Sequence, residues 1–406
     1  MTRPLPSARV VSSVIAQPQR HVGVVGGGIG GLAAALCAAQ AGWRATVWEQ
    51  AQQLGEVGAG VQLGPNATRR LQAWGVLPHL VARASQPTDL LVRCATSARV
   101  LGRLPLGERA QRHHGAPYLT LHRADLHAAL RQCAAHHGVV MHVGSEVTAL
   151  DPVQATLQVG DSAHAAQALV LADGVWSRLH AAVMQAPPVS VTGHVAYRAL
   201  PIQQRLPAAL RSQVVQVWLA PHAHVVTYPV RGGDMLNLAV FIEGQAMVLA
   251  PHWQQPVDWP TLASRLPPCC APLRALLEVA GEAGDGWRQW PMVQRPPLTH
   301  AGQMARARLA LVGDTVHPML PYMAQGAGMA IEDAHALGQV MASYEPVEQA
   351  LGRYAQQRWR RNARVQARAQ RNARWFHARG AKAWLRNQAM AWLGTRVLDV
   401  PWLYRG

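Results

Sequence analysis

Gly26, Gly28 and Gly31 follow the apolar run VGVV in the spacing G-x-G-x-x-G. At that spacing the first glycine permits a tight turn, the second lets a pyrophosphate approach the backbone, and the third lets a helix pack closely on the strand. Glu49 ends the next apolar run, where an acid accepts hydrogen bonds from an adenosine ribose. An acid there favours an unphosphorylated ribose, hence FAD or NAD over NADP. The fingerprint occurs once, so a separate nicotinamide-binding domain is not expected. A second constellation lies in ARLALVGDTVHPMLPYMAQGAGMAIEDA: a buried run delivers Gly313 and Asp314, prolines 318 and 321 shape a loop, and Gln325, Gly326, Ala327 and Gly328 open a helix. Asp314 is suited to accept hydrogen bonds from a ribityl hydroxyl. The amides from Gly326 to Met329 point the positive end of a helix at negative charge, such as the pyrimidine edge of a reduced flavin. This constellation favours FAD over NAD.

The third set is His224 and Tyr228, which share one face of HVVTYPV with Val226 at period two. Histidine has the intrinsic pKa for proton abstraction near neutrality. His317, beside the proline loop, reads as structural. The pairs His113-His114 and His136-His137 lack metal-ligand spacing and HExxH is absent, so no metal is assigned.

These residues need a scaffold, and the sequence outlines one. Residues 21–49 read as strand, glycine turn, alanine-rich helix and second strand, a βαβ unit. A helical pattern and a strand follow over 120–142, and ALVLA ends at Asp173 and Gly174. From 186 to 284 the character changes to alternating runs such as VVQVWLA, HVVTYPV and MLNLAVFIE, the pattern of antiparallel sheet. The expected fold is α/β: a Rossmann-like FAD-binding domain (21–185 and 285–345) split by a β-rich, mostly antiparallel substrate domain (186–284). A disordered extension (1–20) precedes it and a C-terminal helical segment (346–406) follows.

Composition bounds the function. The 406 residues are half apolar, with no repeat and no uninterrupted apolar stretch long enough for a membrane helix. Five cysteines without a CxxC pair point to a reducing, cytoplasmic compartment. The net charge of +17 comes almost wholly from arginine, with one lysine at Lys382, and arginines circle the C-terminal helix instead of forming a stripe. That distribution reads as a solvated helix, and no nucleic-acid partner is expected.

Taken together, the glycine fingerprint, LVLADGVWSRL with Asp173, Gly174 and Arg178, and LVGDTVHPMLPYMAQGAGMAIEDA make this chain resemble the single-component flavoprotein aromatic hydroxylases. That group includes salicylate hydroxylase, 3-hydroxybenzoate 6-hydroxylase and 6-hydroxynicotinate monooxygenase. GAGVQLGPNATRRL and LHRADL resemble the family's flavin-contacting segments, which places Arg123 on the flavin side and adds Asp173 to the cofactor set. The resemblance implies a cycle in which NADH or NADPH, as a transient co-substrate, reduces non-covalently held FAD. O2 then forms a flavin C4a-hydroperoxide, whose distal oxygen attacks a hydroxybenzoate, salicylate or hydroxypyridine carboxylate. It further implies that His224 draws the proton from a ring hydroxyl while Tyr228 contacts the substrate. Three departures bear on the substrate: Thr315-Val316 stand where small alanines are usual, Pro321 replaces a polar residue, and Gln62 replaces a histidine of the hydroxynicotinate enzymes. Other FAD-dependent oxidoreductases, or an FAD-containing binding protein with a basic C-terminus, are the alternatives; a homodimer is left open. No Trp-x-Trp-x-Ile-Pro element of a flavin halogenase is present.

Overall fold

Short apolar runs bounded by glycine turns assemble into a six-stranded sheet. Its order is Ala305–Arg306, Leu309–Leu311, Ala168–Leu171, His21–Val25, Arg44–Trp48, Val140–His142. The five longer strands pair in parallel, and Ala305–Arg306 closes one edge antiparallel. The computed structural model describes residues 20–54, 60–186, 188–244 and 255–405, so the expected N-terminal extension lies, but for residue 20, outside the described residues. Burial of the three central strands along their whole length follows from cover on both faces, the usual condition of a parallel sheet. Helix Ile29–Gln40 packs against one face together with Arg123–His136 and Gly326–Met341. On the other side Leu157, from a three-stranded sheet, lies against Gly23.

The second sheet has eight strands in the order Gln255–Val257, Trp287–Gln294, Ser190–Ala199, Met235–Glu243, Ala223–Val230, Val215–Ala220, Asp89–Cys94, Val100–Pro105. Its pairings are antiparallel except that of Val215–Ala220 with Asp89–Cys94. It is not confined to 186–284, because two strands come from the preceding segment and Trp287–Gln294 runs past the far boundary. Alternation divides it into two faces. Val195, Tyr197, Val225, Leu236, Leu238 and Val240 form one core with helix Ala271–Ala280. Ala196, Ala239 and Phe241 point the other way, toward Tyr322 and Ala369.

The arginine-rich C-terminal helix, Val347–Phe376, departs from the solvated reading. Arg358 is buried and pairs with Glu332 Oε2 and Asp333 Oδ1, both at 2.8 Å. Asn362 donates to Asp333 Oδ1 at 2.9 Å, Asn66 donates to Glu332 Oε1 at 2.8 Å, and His317 Nε2 lies 2.5 Å from Asp333 Oδ2. The network ties the proline loop, helix Gly326–Met341 and the C-terminal helix into one piece. Burial opposes ionisation of Asp333, yet His317 and Arg358 outweigh it and hold the carboxyl well below its usual value. Burial likewise opposes ionisation of Glu332, and Arg361 and Arg358 overcome it.

Removing Arg358 leaves Glu332 to Arg361 and Asn66, and Asp333 to His317 and Asn362, so Arg358→Met is expected to cost about 3 kcal/mol of unfolding free energy, the low end for a broken buried pair. Because both carboxyls titrate below their unfolded values, their contribution is present above about pH 4 and lost as pH falls. Arg358→Met should therefore be most damaging near neutrality and converge on wild type in acid. Chemical unfolding at several pH values checks this; a loss below about 1 kcal/mol at neutral pH contradicts it.

Candidate active site

The carboxyl end of His21–Val25 carries the glycine turn. Gly26 has φ +101°, and a Cβ there would sit 2.4 Å from the Ala172 carbonyl oxygen, which leaves glycine as the residue that fits. A Cβ on Gly31 would come within 1.9 Å of the Gly26 carbonyl oxygen, the close helix-on-strand packing its spacing predicts. A Cβ on Gly28 would meet nothing within 4 Å. That open side leaves room for a pyrophosphate to approach the backbone. Glu49 ends Arg44–Trp48 as expected, and its carboxylate accepts hydrogen bonds from Gly27 N at 2.7 Å and Ala51 N at 2.8 Å. His127 Nε2, 2.7 Å from the Gly27 carbonyl oxygen, ties the turn to helix Arg123–His136, whose exposed first residue is Arg123.

Thr315 joins two motifs that lie far apart in sequence. Its hydroxyl donates to Asp173 Oδ1 at 3.1 Å and accepts from Gly174 N at 2.8 Å, while Arg295 Nη1 donates to the Thr315 carbonyl at 2.7 Å. The departure from alanine at this position thus has a structural task. Burial, partly countered by hydrogen bonds from Ser177 and Thr315, raises the Asp173 carboxyl. Asp314 is exposed, and a Cβ on Gly326 would lie 3.8 Å from its Oδ1, which sets the carboxylate over the start of helix Gly326–Met341. Gly326 and Ala327 are half-buried and Gly328 is buried against Gln325 and Asn66. An open glycine cradle, an acid at the ribose position, and an exposed acid beside a helix N-terminus together fit an extended dinucleotide with an anionic end.

The eight-stranded sheet presents its second face to the same region. Cross-strand register aligns His224 with Phe241, Val226 with Ala239 and Arg198, and Tyr228 with Asn237. His224, Val226 and Tyr228 therefore share a face, and Arg198 joins them. At about 3.3 Å per residue, His224 and Tyr228 stand roughly 13 Å apart along the strand.

The His224 end is walled by aromatic rings. Its imidazole, 1% exposed, stacks on Phe241 at 4.6 Å between centroids and meets Tyr322 at 4.9 Å and Phe376 at 5.2 Å. Burial, followed by the neighbouring His377 and His194, pushes its pKa well below the usual histidine value. It is neutral at physiological pH and able to accept a proton. The Tyr228 end is polar. The Tyr118 hydroxyl donates to Gln62 Oε1 at 2.7 Å, Gln62 also hydrogen-bonds Tyr228, and the Tyr228 ring lies so close to Gly60 that a Cβ there would be 2.5 Å from it. Burial raises the Tyr228 phenol, so it remains a donor. The Arg198 guanidinium lies over the Trp290 ring at 4.3 Å. Burial pushes its pKa down to about 10, Tyr228 counters this and Arg123 adds to it; no described carboxylate lies within ion-pair range.

The matching family model is the FAD binding domain, over residues 19–369. The 3-hydroxybenzoate 6-hydroxylase of Polaromonas naphthalenivorans is 34% identical over 94% of this chain and 94% of its own. The chain belongs to this FAD-binding family. It is an FAD-dependent hydroxylase of the flavoprotein monooxygenase type. A 3-amino-4-hydroxybenzoate 2-monooxygenase of Streptomyces platensis is 33% identical, with 95% of each chain covered. The fold is shared with Klebsiella pneumoniae HpxO, solved with FAD and uric acid, at TM-score 0.81 and 21% identity over 93% of this chain and 94% of that one.

Among the described residues no helix is long and apolar enough to cross a membrane, and no group of three or more His, Cys, Asp or Glu is placed to hold a metal. Sequence reasoning did not single out Arg198, Tyr322 or His377. Arg198 alternates along its strand with Val195 and Tyr197 of the opposite face, a signal that period-two reading of GHVAYRAL contains. Tyr322 and His377 reach the site through tertiary packing alone.

Proposed function

We propose that this hydroxylase acts on a small aromatic carboxylate that already bears a ring hydroxyl, with the hydroxyl turned to His224 and the carboxylate to Arg198 and Tyr228. The observation that carries this reading is a half-buried arginine, without a described acidic partner, on the same sheet face as a neutral buried histidine. An arginine fork is well matched to a carboxylate, and Tyr118, Gln62 and Tyr228 offer further polar contacts at that end. Hydroxylated benzoates in the names of both relatives support the same class.

Bound FAD supplies the acceptance of electrons from NADH or NADPH and the activation of O2. In this reading Gly26, Gly28 and Gly31 admit the pyrophosphate, Glu49 holds the ribose, and Asp314 takes the ribityl hydroxyls. Asp173 and Arg123 border the cofactor, and Gly326, Ala327 and Gly328 offer amides to its anionic edge. His224 takes the proton from the ring hydroxyl, because a phenolate is a far better nucleophile than a phenol. Phe241, Tyr322 and Phe376 exclude water around that proton transfer. The five cysteines are all unpaired, which supports a cytoplasmic enzyme.

Arg198→Met tests the carboxylate assignment. A charge-assisted hydrogen bond is worth about 1.5–3 kcal/mol, so KM for the best hydroxylated benzoate should rise roughly 10- to 100-fold. For the matching phenol without the carboxylate, wild type and variant should be alike. An equal loss on both compounds, or none on either, places the carboxylate elsewhere.

A further inference from the structure

A chain of protonatable groups runs from His224 to the protein surface. His224 Nδ1 lies 2.8 Å from Nε2 of His377, the residue that caps helix Val347–Phe376. His377 is itself buried, and its Nδ1 faces Glu243 Oε2 at 3.6 Å without a hydrogen-bond partner. Glu243 ends the strand Met235–Glu243 with its side chain 42% exposed, and His222 Nδ1 approaches the same oxygen at 3.4 Å. His222 sits in a turn with φ +59° that brings it beside the strand end. From the neighbouring strand His194 stacks on His377 at 5.2 Å and 19°, with its Nδ1 2.7 Å from the Tyr322 hydroxyl. Arg386, from helix Gly380–Leu393, donates to the carbonyls of Trp375 and Phe376 next to it.

We propose that Glu243 and His377 form a proton relay that holds His224 in the tautomer protonated on Nδ1 and conducts the substrate's proton to solvent. The inference rests on the reading of His224 as the base. The Glu243 carboxylate favours the His377 proton on Nδ1, which leaves His377 Nε2 as an acceptor. That acceptor fixes the His224 proton on Nδ1 and frees its Nε2 lone pair for the substrate, the arrangement a general base needs.

The transfer balances as three shifts. The ring O–H breaks as N–H forms at His224 Nε2; the His224 Nδ1 proton moves to His377 Nε2; the His377 Nδ1 proton moves to Glu243, which releases it to water. Both rings reset once the ring oxygen of the hydroxylated product takes the proton on His224 Nε2, the His377 Nε2 proton returns to His224 Nδ1, and His377 Nδ1 regains a proton that Glu243 draws from water. No redox change is involved. The 3.6 Å step exceeds a hydrogen bond, and a half-exposed glutamate closes it by a rotamer change. A buried imidazole N–H without a partner costs about 1–3 kcal/mol, so the open His377 Nδ1 is a retained expense that packing alone does not explain. Burial, together with His194, His222 and Arg386, lowers the His377 pKa to about 3. His377 is therefore a conduit and does not store the proton.

The test is 15N NMR of the histidine rings in the FAD-loaded protein, assigned by single His variants, read beside product formation. In wild type His224 and His377 should both be neutral and protonated on Nδ1 near pH 7. Glu243→Gln should mix the His377 tautomers and slow coupled hydroxylation of the best hydroxylated benzoate about tenfold, less than the ~10²-fold or more lost with a base. His377→Phe should mix the tautomers of His224. Glu243 lies at the surface, so its variant remains informative even if His377→Phe fails to fold. A wild-type His224 protonated on Nε2, or unchanged tautomers and rate in Glu243→Gln, overturns the relay. If His224→Ala uncouples hydroxylation while Glu243→Gln and His377→Phe do not, the base stands and the relay falls. If His224→Ala itself leaves coupling intact, the base reading falls first.

Discussion

Alanine at His224 is expected to leave FAD bound and NAD(P)H oxidised while oxygen transfer to the ring slows by about 10² to 10⁴-fold, the usual worth of a positioned base. Electrons that no longer reach the ring should appear as hydrogen peroxide. The expectation follows from placement, since the described contacts of His224 are with His377, Phe241, Tyr322 and Phe376 and none is with the glycine turn or Glu49. Its ring is enclosed by Phe241, Tyr322 and Phe376, where a lost proton acceptor cannot be replaced by bulk water. The folded pKa of His224 is pushed down, so the group stays neutral throughout pH 6–9 and the wild-type ratio of product to NAD(P)H should not fall toward pH 6. A fall with a midpoint near the ordinary histidine value would mean that His224 is solvated and mispositioned. If His224→Ala changes substrate affinity alone, the residue binds and does not take the proton.

The second large effect separates two glycines of one turn. Gly28→Val should give a folded, colourless protein, because its side chain enters space that the protein leaves open and the backbone there is extended at φ −73°. Gly31→Val should instead impair folding, since its Cβ would meet the Gly26 carbonyl oxygen at 1.9 Å. FAD released on denaturation, measured by absorbance per protein chain, should approach one for wild type and zero for Gly28→Val, whose melting temperature should match that of FAD-stripped wild type. Stoichiometric FAD in Gly28→Val would mean that the pyrophosphate lies elsewhere.

The shape of the glycine turn could be read directly because its signals are local. Tight glycine spacing, strand-terminal acids and a glycine-opened helix each leave a mark within a few residues. The face shared by His224, Val226 and Tyr228 was legible for the same reason, as strand alternation is a two-residue rule. Asp89–Cys94 was missed as part of the substrate sheet because its parallel pairing with Val215–Ala220 closes a long loop that no local pattern announces. The C-terminal helix misled in a different way. Counting arginines around it gives a solvated surface, whereas Arg358 finds Glu332 and Asp333 on another helix and is buried. Charge patterning shows where a cation lies, and only packing shows what it meets. His377 is a third case: it lies 153 residues from His224, just past a helix end, and the sequence holds no sign of their contact.

The most direct test of the account is the wild-type half of the first experiment, carried out under 18O2 with a panel of hydroxylated benzoates and the corresponding phenols. A carboxylate-bearing phenol should yield a product with one new hydroxyl oxygen derived from O2, at close to one product per NAD(P)H consumed. Product labelled from water, or NAD(P)H oxidation that yields peroxide alone with every hydroxylated benzoate tested, would contradict it.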